Sequence, residues 1–68
     1  ASTDEIVDRL NRNLDHWHHH VRGWTVEALQ RLDDPRAVQL ALRYLTSARW
    51  DPATKSGDRV LTSEVMRQ

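Results

Sequence analysis

The residues of this sequence whose types could do chemistry are gathered at 15–20, where four histidines surround one tryptophan. On a helix, His16 and His20 stand four positions apart and share a face. A pair of neutral imidazoles at that spacing can bind Zn²⁺, Ni²⁺ or Cu²⁺. The ligand set is incomplete, because the chain has no cysteine and a third ligand would have to be Asp15 or come from another element.

Two other interpretations of the histidines stay open. Histidine titrates near pH 6.5, so four positive charges within five residues would repel one another and make the turn responsive to pH. Alternatively, these side chains are solvated or form local hydrogen bonds in an ordinary turn. Metal- or pH-responsive binding through the cluster His16–His20, with His16 and His20 as the candidate metal ligands, is therefore the weakest functional hypothesis, and we predict no cofactor.

No pattern in the chain is typical of an enzyme. The sequence has no glycine-rich phosphate loop, no G-x-S-x-G motif and no cysteine nucleophile. Asp33 and Asp34 precede Pro35 and suit a turn and a helix cap better than a pair of catalytic carboxylates. We therefore predict a protein that is not an enzyme.

The length and the charge of the chain limit the classes of protein to which it can belong. Sixty-eight residues allow one small domain over 1–68, and about 60% of the unfolded surface of such a chain is buried on folding. The net charge is zero, although residues 1–34 carry −3 (four bases, seven acids) and residues 35–68 carry +3 (six bases, three acids). No apolar run approaches the roughly 18 residues that a membrane span needs. We expect a cytoplasmic protein with no membrane association.

Apolar spacing and capping residues predict the elements that must position these side chains. The fold class that we predict is all-α, a small three-helix domain with an antiparallel central hairpin and a short C-terminal helix or tail. Ser2 and Glu5 form a capping box before the first helix. Either Asp15 or His16 would cap the second. The helices are expected at about 3–14, 16–32 and 35–48, with a short fourth helix or a frayed tail at 58–67.

The break between the second and third helices is the firmest local signal. Pro35 disfavours helical backbone at Asp34 and suits the first position of the next helix, with Asp34 as its N-cap. The helix that follows is expected to bury one apolar face, and this face consists of Val38, Ala41, Leu42 and Leu45.

The stretch from Val21 to Leu45 resembles a HEAT-type helical repeat. The resembling residues are Val21-Arg22, Thr25-Val26, Ala28-Leu29, Leu32, Asp34-Pro35-Arg36-Ala37-Val38 and Leu45, with Leu14 seven positions upstream. Asp33 stands where the family usually has glycine, and Trp24 is bulky at a site that usually faces outward. The resemblance implies packed helices and a surface that binds protein or nucleic acid, without catalysis by the repeat itself.

The function that we predict is a non-catalytic module for protein–protein interaction or assembly, whose partner is another protein or a second copy. Aromatic residues and arginine are enriched in interface hot spots. The candidate partner-binding residues are Trp17, Trp24, Arg43, Tyr44 and Trp50. The alternative is a small helix-turn-helix regulator that reads DNA through the third helix. Its candidate residues are Arg36, Gln39 and Arg43.

Overall fold

Three helices joined by short turns make up the described part of the chain. The computed structural model describes residues 2–57, with α1 at Thr3–Asn13, α2 at His19–Arg31 and α3 at Pro35–Leu45. All three helices contact one another and these residues form no strand, which confirms the predicted all-α fold. The short helix or tail predicted at 58–67 lies outside the described residues. Within residues 2–57, no helix has both the length and the apolar character needed to cross a membrane.

Helix α1 begins where its sequence predicts. Ser2 has extended backbone, and its hydroxyl accepts a hydrogen bond from the Glu5 amide at 3.2 Å. Asp4 and Glu5 place negative charge in the first turn, where the helix dipole favours it. Val7 and Leu14 are buried on the side that faces the other helices. The N-terminal cap therefore fixes the start of this helix, and the spacing of Val7 and Leu14 sets the side that it buries.

Helix α2 begins at His19, three residues later than the sequence predicts. The N-cap is His18, which has extended backbone and accepts from the His20 amide through its side chain. Neither Asp15 nor His16 is the cap, so both predicted alternatives are wrong. An imidazole nitrogen does here what the oxygen of serine or aspartate usually does, which capping preferences do not anticipate. The helix ends at Arg31, where Leu32 returns to extended backbone.

The turn between α2 and α3 confirms the predicted role of Asp34. Its carboxylate accepts from the amides of Arg36 and Ala37 at 2.8 and 3.4 Å, and Pro35 occupies the first turn. The helix ends at Leu45, before the predicted 48, because the hydroxyls of Thr46 and Ser47 bond back to carbonyls of its last turn.

The core lies among the three helices. Val26 and Leu29 are fully buried in it, and the other buried members of the same cluster are Val7, Leu14, Ala37, Ala41 and Tyr44. Small side chains suit a close approach of two helices, and the tyrosine ring fills the space at the end of the core.

The prediction of which side of α3 is buried is therefore wrong. Val38 and Leu42 are 39% and 49% exposed, whereas Ala41 is buried as predicted. Leu45 is partly buried at the edge of the core. The helix is rotated so that its smaller residues face α2, and two of its aliphatic side chains remain on the outside.

A turn after α3 closes over α2. Asp51 and Ser56 form a pair of backbone hydrogen bonds of 2.9 and 3.3 Å, and Lys55 takes a positive φ of 54° between them. This turn packs on Gly23, where a Cβ would lie only 3.1 Å from the Ser56 Cα and 3.2 Å from the Lys55 carbonyl oxygen. Glycine, which costs a helix about 1 kcal/mol against alanine, is explained here by this close approach.

Candidate functional site

The turn at residues 16–20, which we call the histidine turn, contains two similar hydrogen bonds. The His16 Nδ1 accepts from the His18 amide at 3.0 Å, and the His18 Nδ1 accepts from the His20 amide at 3.2 Å. A nitrogen that accepts a hydrogen bond carries no proton, so this arrangement requires Nδ1 of both rings to be unprotonated. The pKa of His18 is lowered from its usual 6.5, by desolvation and then by the positive charges of its neighbours. Those neighbours are His19, His20, His16 and Arg22.

This turn does not assemble a complete metal site within the described residues. No group of three or more histidine, aspartate or glutamate side chains lies together there in a way that could hold a metal ion. His16 already uses its Nδ1 to accept a backbone amide. The candidate pair His16 and His20 thus has no third ligand in this part of the chain, and a local role in starting α2 accounts for His16.

Arg22 is the polar residue whose position the sequence does not reveal. It is 8% exposed, and its guanidinium donates only to backbone carbonyls among the described residues. Nε and Nη2 donate to the Gly57 oxygen at 2.8 and 2.5 Å, while Nη1 donates to the oxygens of His16 and Trp17 at 2.6 and 3.0 Å. Arg22 therefore joins the histidine turn, α2 and the turn at 51–57.

The buried guanidinium is stabilised by carbonyl dipoles, since no carboxylate among residues 2–57 forms an ion pair with it. The resemblance to a HEAT-type repeat includes Arg22 in its pattern but predicts no partner for the guanidinium. Within residues 2–57, Arg49 forms a cation–π pair with Tyr44, 5.5 Å from the centroid of its ring. No signal in the sequence identifies the partners of Arg22, because the nearest is five residues away and the farthest 35.

Two of the three tryptophans lie on the outside of the domain. Trp17 is 82% exposed and Trp24 is 64% exposed. Rings in contact connect them: Trp17 to His18 at 5.1 Å, His18 to His20 at 5.4 Å, and His20 stacked on Trp24 at 5.9 Å with 18° between planes. We call these four residues the aromatic surface.

The other candidate partner-binding residues lie elsewhere. Tyr44 is 6% exposed and belongs to the core, so it is not available as a surface anchor. Trp50 packs edge-on against it, with ring centroids 6.3 Å apart. Arg43 is exposed and lies on another side of α3. The five residues that the sequence groups as one candidate site therefore occupy three separate places.

A groove runs between α1 and α3, and it contains all three candidate nucleic-acid residues. Its wider half has a volume of about 440 Å³ and is lined by Val7, Asp8, Asn11, Pro35, Arg36, Gln39, Leu40 and Arg43. Its second half, of about 270 Å³, is lined by Asn11, Leu14, Asp15, Leu40, Arg43, Tyr44, Ser47 and Arg49. The two halves share Asn11, Leu40 and Arg43, so they form one continuous surface, which we call the α1–α3 groove.

Acids on and beside α1 face the arginines of this groove. Arg36 pairs with Asp4 of α1, and its Nε lies 3.7 Å from the carboxylate of Asp34. Arg49 pairs with Asp15 at 2.8 Å. The side of α3 that the sequence offers to DNA is therefore partly neutralised within the domain itself.

Comparison with known proteins adds no relative. No family model matches the chain, and neither the curated proteins nor the solved structures contain a significant match. The resemblance to a HEAT-type repeat therefore stays a prediction, and any assignment of function depends on the geometry described above.

Proposed function

We propose that this chain is a non-catalytic helical module that binds another protein through its aromatic surface. The observation that supports this proposal is the exposure of two of its three tryptophans, 82% for Trp17 and 64% for Trp24. Large aromatic side chains supply much of the free energy of protein association when a partner removes them from water.

Trp50 differs from Trp17 and Trp24, because it is partly buried against the core. Trp50 and Tyr44 pack together at the end of the core, with their planes at 77°. Trp17 and Trp24 are not used in this way, although the chain has no phenylalanine to fill its core. A protein of this size gains stability from each buried aromatic group, so leaving two outside is costly unless a partner covers them.

The DNA-binding alternative has weaker support. Reading DNA through α3 needs a basic surface that faces outward. Here Arg36 is paired with Asp4 and lies near Asp34, and Asp8 lines the same groove. A duplex brought to this side of the domain would meet those carboxylates as well as the arginines. We therefore retain protein binding as the proposal, and cytoplasmic location stays a prediction.

Site-specific photo-crosslinking tests the proposal. A photoreactive phenylalanine analogue is placed at position 24 or, as the control, at position 9, where Arg9 is exposed on α1. The two proteins are irradiated in an extract of the source cells, and the adducts are identified by mass spectrometry. We expect one specific protein adduct from position 24, absent from position 9 and lost when Trp17 is changed to alanine.

Sedimentation velocity of the purified chain separates a second copy from another protein as the partner. If the adduct is the chain itself, the wild-type protein should dimerise with rising concentration and the Trp24→Ala variant should stay monomeric. Equal adducts from positions 9 and 24, together with a monomer at every concentration, would contradict binding through the aromatic surface.

A further inference from the structure

We infer that the α1–α3 groove is a second binding surface, which takes an amphipathic helix of a partner protein. The helix would carry an acid beside α3 and a base beside α1. This inference deepens the proposed function, protein binding, but uses a surface that shares no residue with the aromatic surface. The two surfaces can therefore fail or succeed independently in experiments.

The shape and the floor of the groove suit an apolar side of a helix. Val7, Leu14 and Leu40 lie along its bottom, and the ring of Tyr44 extends this floor. An amphipathic helix typically binds by laying its residues at i, i+3, i+4 and i+7 into an apolar groove between two helices. The volumes of about 440 and 270 Å³ leave room for several such side chains.

Ion pairs bridge the groove near its two ends. Arg36 pairs with Asp4 where α3 begins, and Arg49 pairs with Asp15 after both α1 and α3 have ended. The first pair joins α1 to the start of α3, and the second joins the segments that follow the two helices. Because the charges near both ends are already paired, the charges in the middle of the groove are the ones that a partner can pair with.

The middle of the groove has one unpaired charge on each rim. Asp8 lies on α1 and Arg43 on α3, and neither side chain forms an ion pair or hydrogen bond within residues 2–57. Both line the wider half of the groove, and Arg43 also lines the second half. A carboxylate would pair with Arg43 and an amine or guanidinium with Asp8. Opposite charges on the two flanks of an apolar stripe are thus the complement of this surface.

Three synthetic helical peptides with the same leucine stripe test the inference. One has glutamate on one flank and lysine on the other, the second has glutamate on both flanks, and the third has lysine on both. Binding to the wild-type chain is measured by fluorescence anisotropy. We expect the mixed peptide to bind most tightly, because one of the two directions in which it can lie brings its glutamates to Arg43 and its lysines to Asp8.

Charge reversal supplies the decisive comparison. Arg43→Glu makes both rims acidic, so the mixed peptide should lose about tenfold in affinity and the lysine peptide should become the tightest ligand. Arg43→Gln should weaken the mixed peptide without creating the new preference. Arg9→Glu, a charge reversal on the exposed side of α1, is the matched control and should leave the order unchanged. Circular dichroism melts verify that each variant is folded.

Other outcomes would overturn the inference. If Arg43→Glu and Arg9→Glu act alike, the peptides bind by general charge and the groove is not their site. If the chain self-associates and Arg43→Glu abolishes this, the occupant is a second copy. Alanine at Trp17 and Trp24 should leave peptide affinity unchanged. If the peptides do not bind in the α1–α3 groove, the proposal that the aromatic surface binds a protein is therefore unaffected.

Discussion

At the scale of single residues, Arg22 has the most unusual environment in the described chain. A charged group is rarely buried without a partner of opposite sign, because removing it from water is expensive. Here three carbonyl oxygens replace that water, from His16, Trp17 and Gly57. In turn, the guanidinium satisfies carbonyls from two turns that are distant in sequence. We infer that its role is to hold those turns against α2.

Removing the guanidinium should destabilise the domain substantially. Arg22→Met keeps much of the side-chain volume but leaves carbonyls of His16, Trp17 and Gly57 without their donors. An unsatisfied buried polar group costs about 1–3 kcal/mol, so we expect the free energy of unfolding to fall by roughly 2–4 kcal/mol. Urea titration followed by circular dichroism measures this change.

The matched control for Arg22 is the exposed Arg12 of α1. Arg12→Met should change the free energy of unfolding by less than about 0.5 kcal/mol, as surface substitutions usually do. If Arg22→Met were equally mild, the hydrogen bonds of the guanidinium would contribute nothing to stability, and the role inferred for it would be wrong.

At the scale of elements, the beginning of α2 differs most from its usual form. Helices commonly start with serine, threonine, aspartate or asparagine, which accept a backbone hydrogen bond through oxygen. Here His18 accepts through Nδ1, and His16 accepts two residues earlier in the same way. Protonation of either Nδ1 removes its acceptor and adds positive charge at the positive end of the helix dipole. We therefore expect the stability of the start of α2 to depend on pH.

Acidification should weaken the domain through His18. The pKa of His18 in the folded chain is below its usual 6.5, because of desolvation and because His19, His20, His16 and Arg22 add positive charge nearby. The unfolded chain then binds more protons than the folded chain between the two pKa values. The contribution of His18 to stability is fully present above about pH 6.5, and it is lost as the pH falls toward the lower pKa of the folded chain. Urea titrations from pH 8 to pH 5 measure the slope.

His18→Asn is the control for this pH dependence. Asparagine also caps helices but does not titrate, so the variant should keep α2 and show a shallower fall of stability with acid. Equal slopes for the variant and the wild type would mean that other groups are responsible for the pH dependence.

At the scale of the whole molecule, three short helices share one small core. Its largest fully buried side chains are Val26 and Leu29, and the facing side of α3 supplies alanines. Leu42 lies outside this core and is 49% exposed, although its spacing predicts burial. A domain of this size has only a few kcal/mol of net stability, so each buried leucine is a large share of it.

Truncation of two leucines distinguishes the observed core from the predicted one. Leu29→Ala should lower the free energy of unfolding by about 2–5 kcal/mol, because it removes buried methyl groups and leaves a cavity. Leu42→Ala should cost less than about 1 kcal/mol, because half of the side chain is already in water. Thermal melts followed by circular dichroism compare the two variants. Equal losses would indicate that α3 buries the side predicted from its sequence.

The candidate surfaces depend on the same whole-molecule arrangement. The sequence identifies Trp17, Trp24 and Arg43 as candidates from residue type, because tryptophan and arginine are common in interfaces. It does not separate them from Tyr44, which packs inside. That distinction requires the positions of α2 and of Trp50, neither of which is encoded in the neighbourhood of residue 44.

The sequence by itself predicted the three helices of residues 2–57 and the position of the break between the second and the third. Ser2, Asp34 and Pro35 act on backbone groups within four residues, so their effects can be predicted without knowing the rest of the chain. Only the tertiary structure decided that α3 buries its alanines, that Arg22 is enclosed by carbonyls, and that α1 and α3 leave a groove. These outcomes follow from contacts between segments up to 35 residues apart. A local sequence pattern cannot predict the free energy of such contacts.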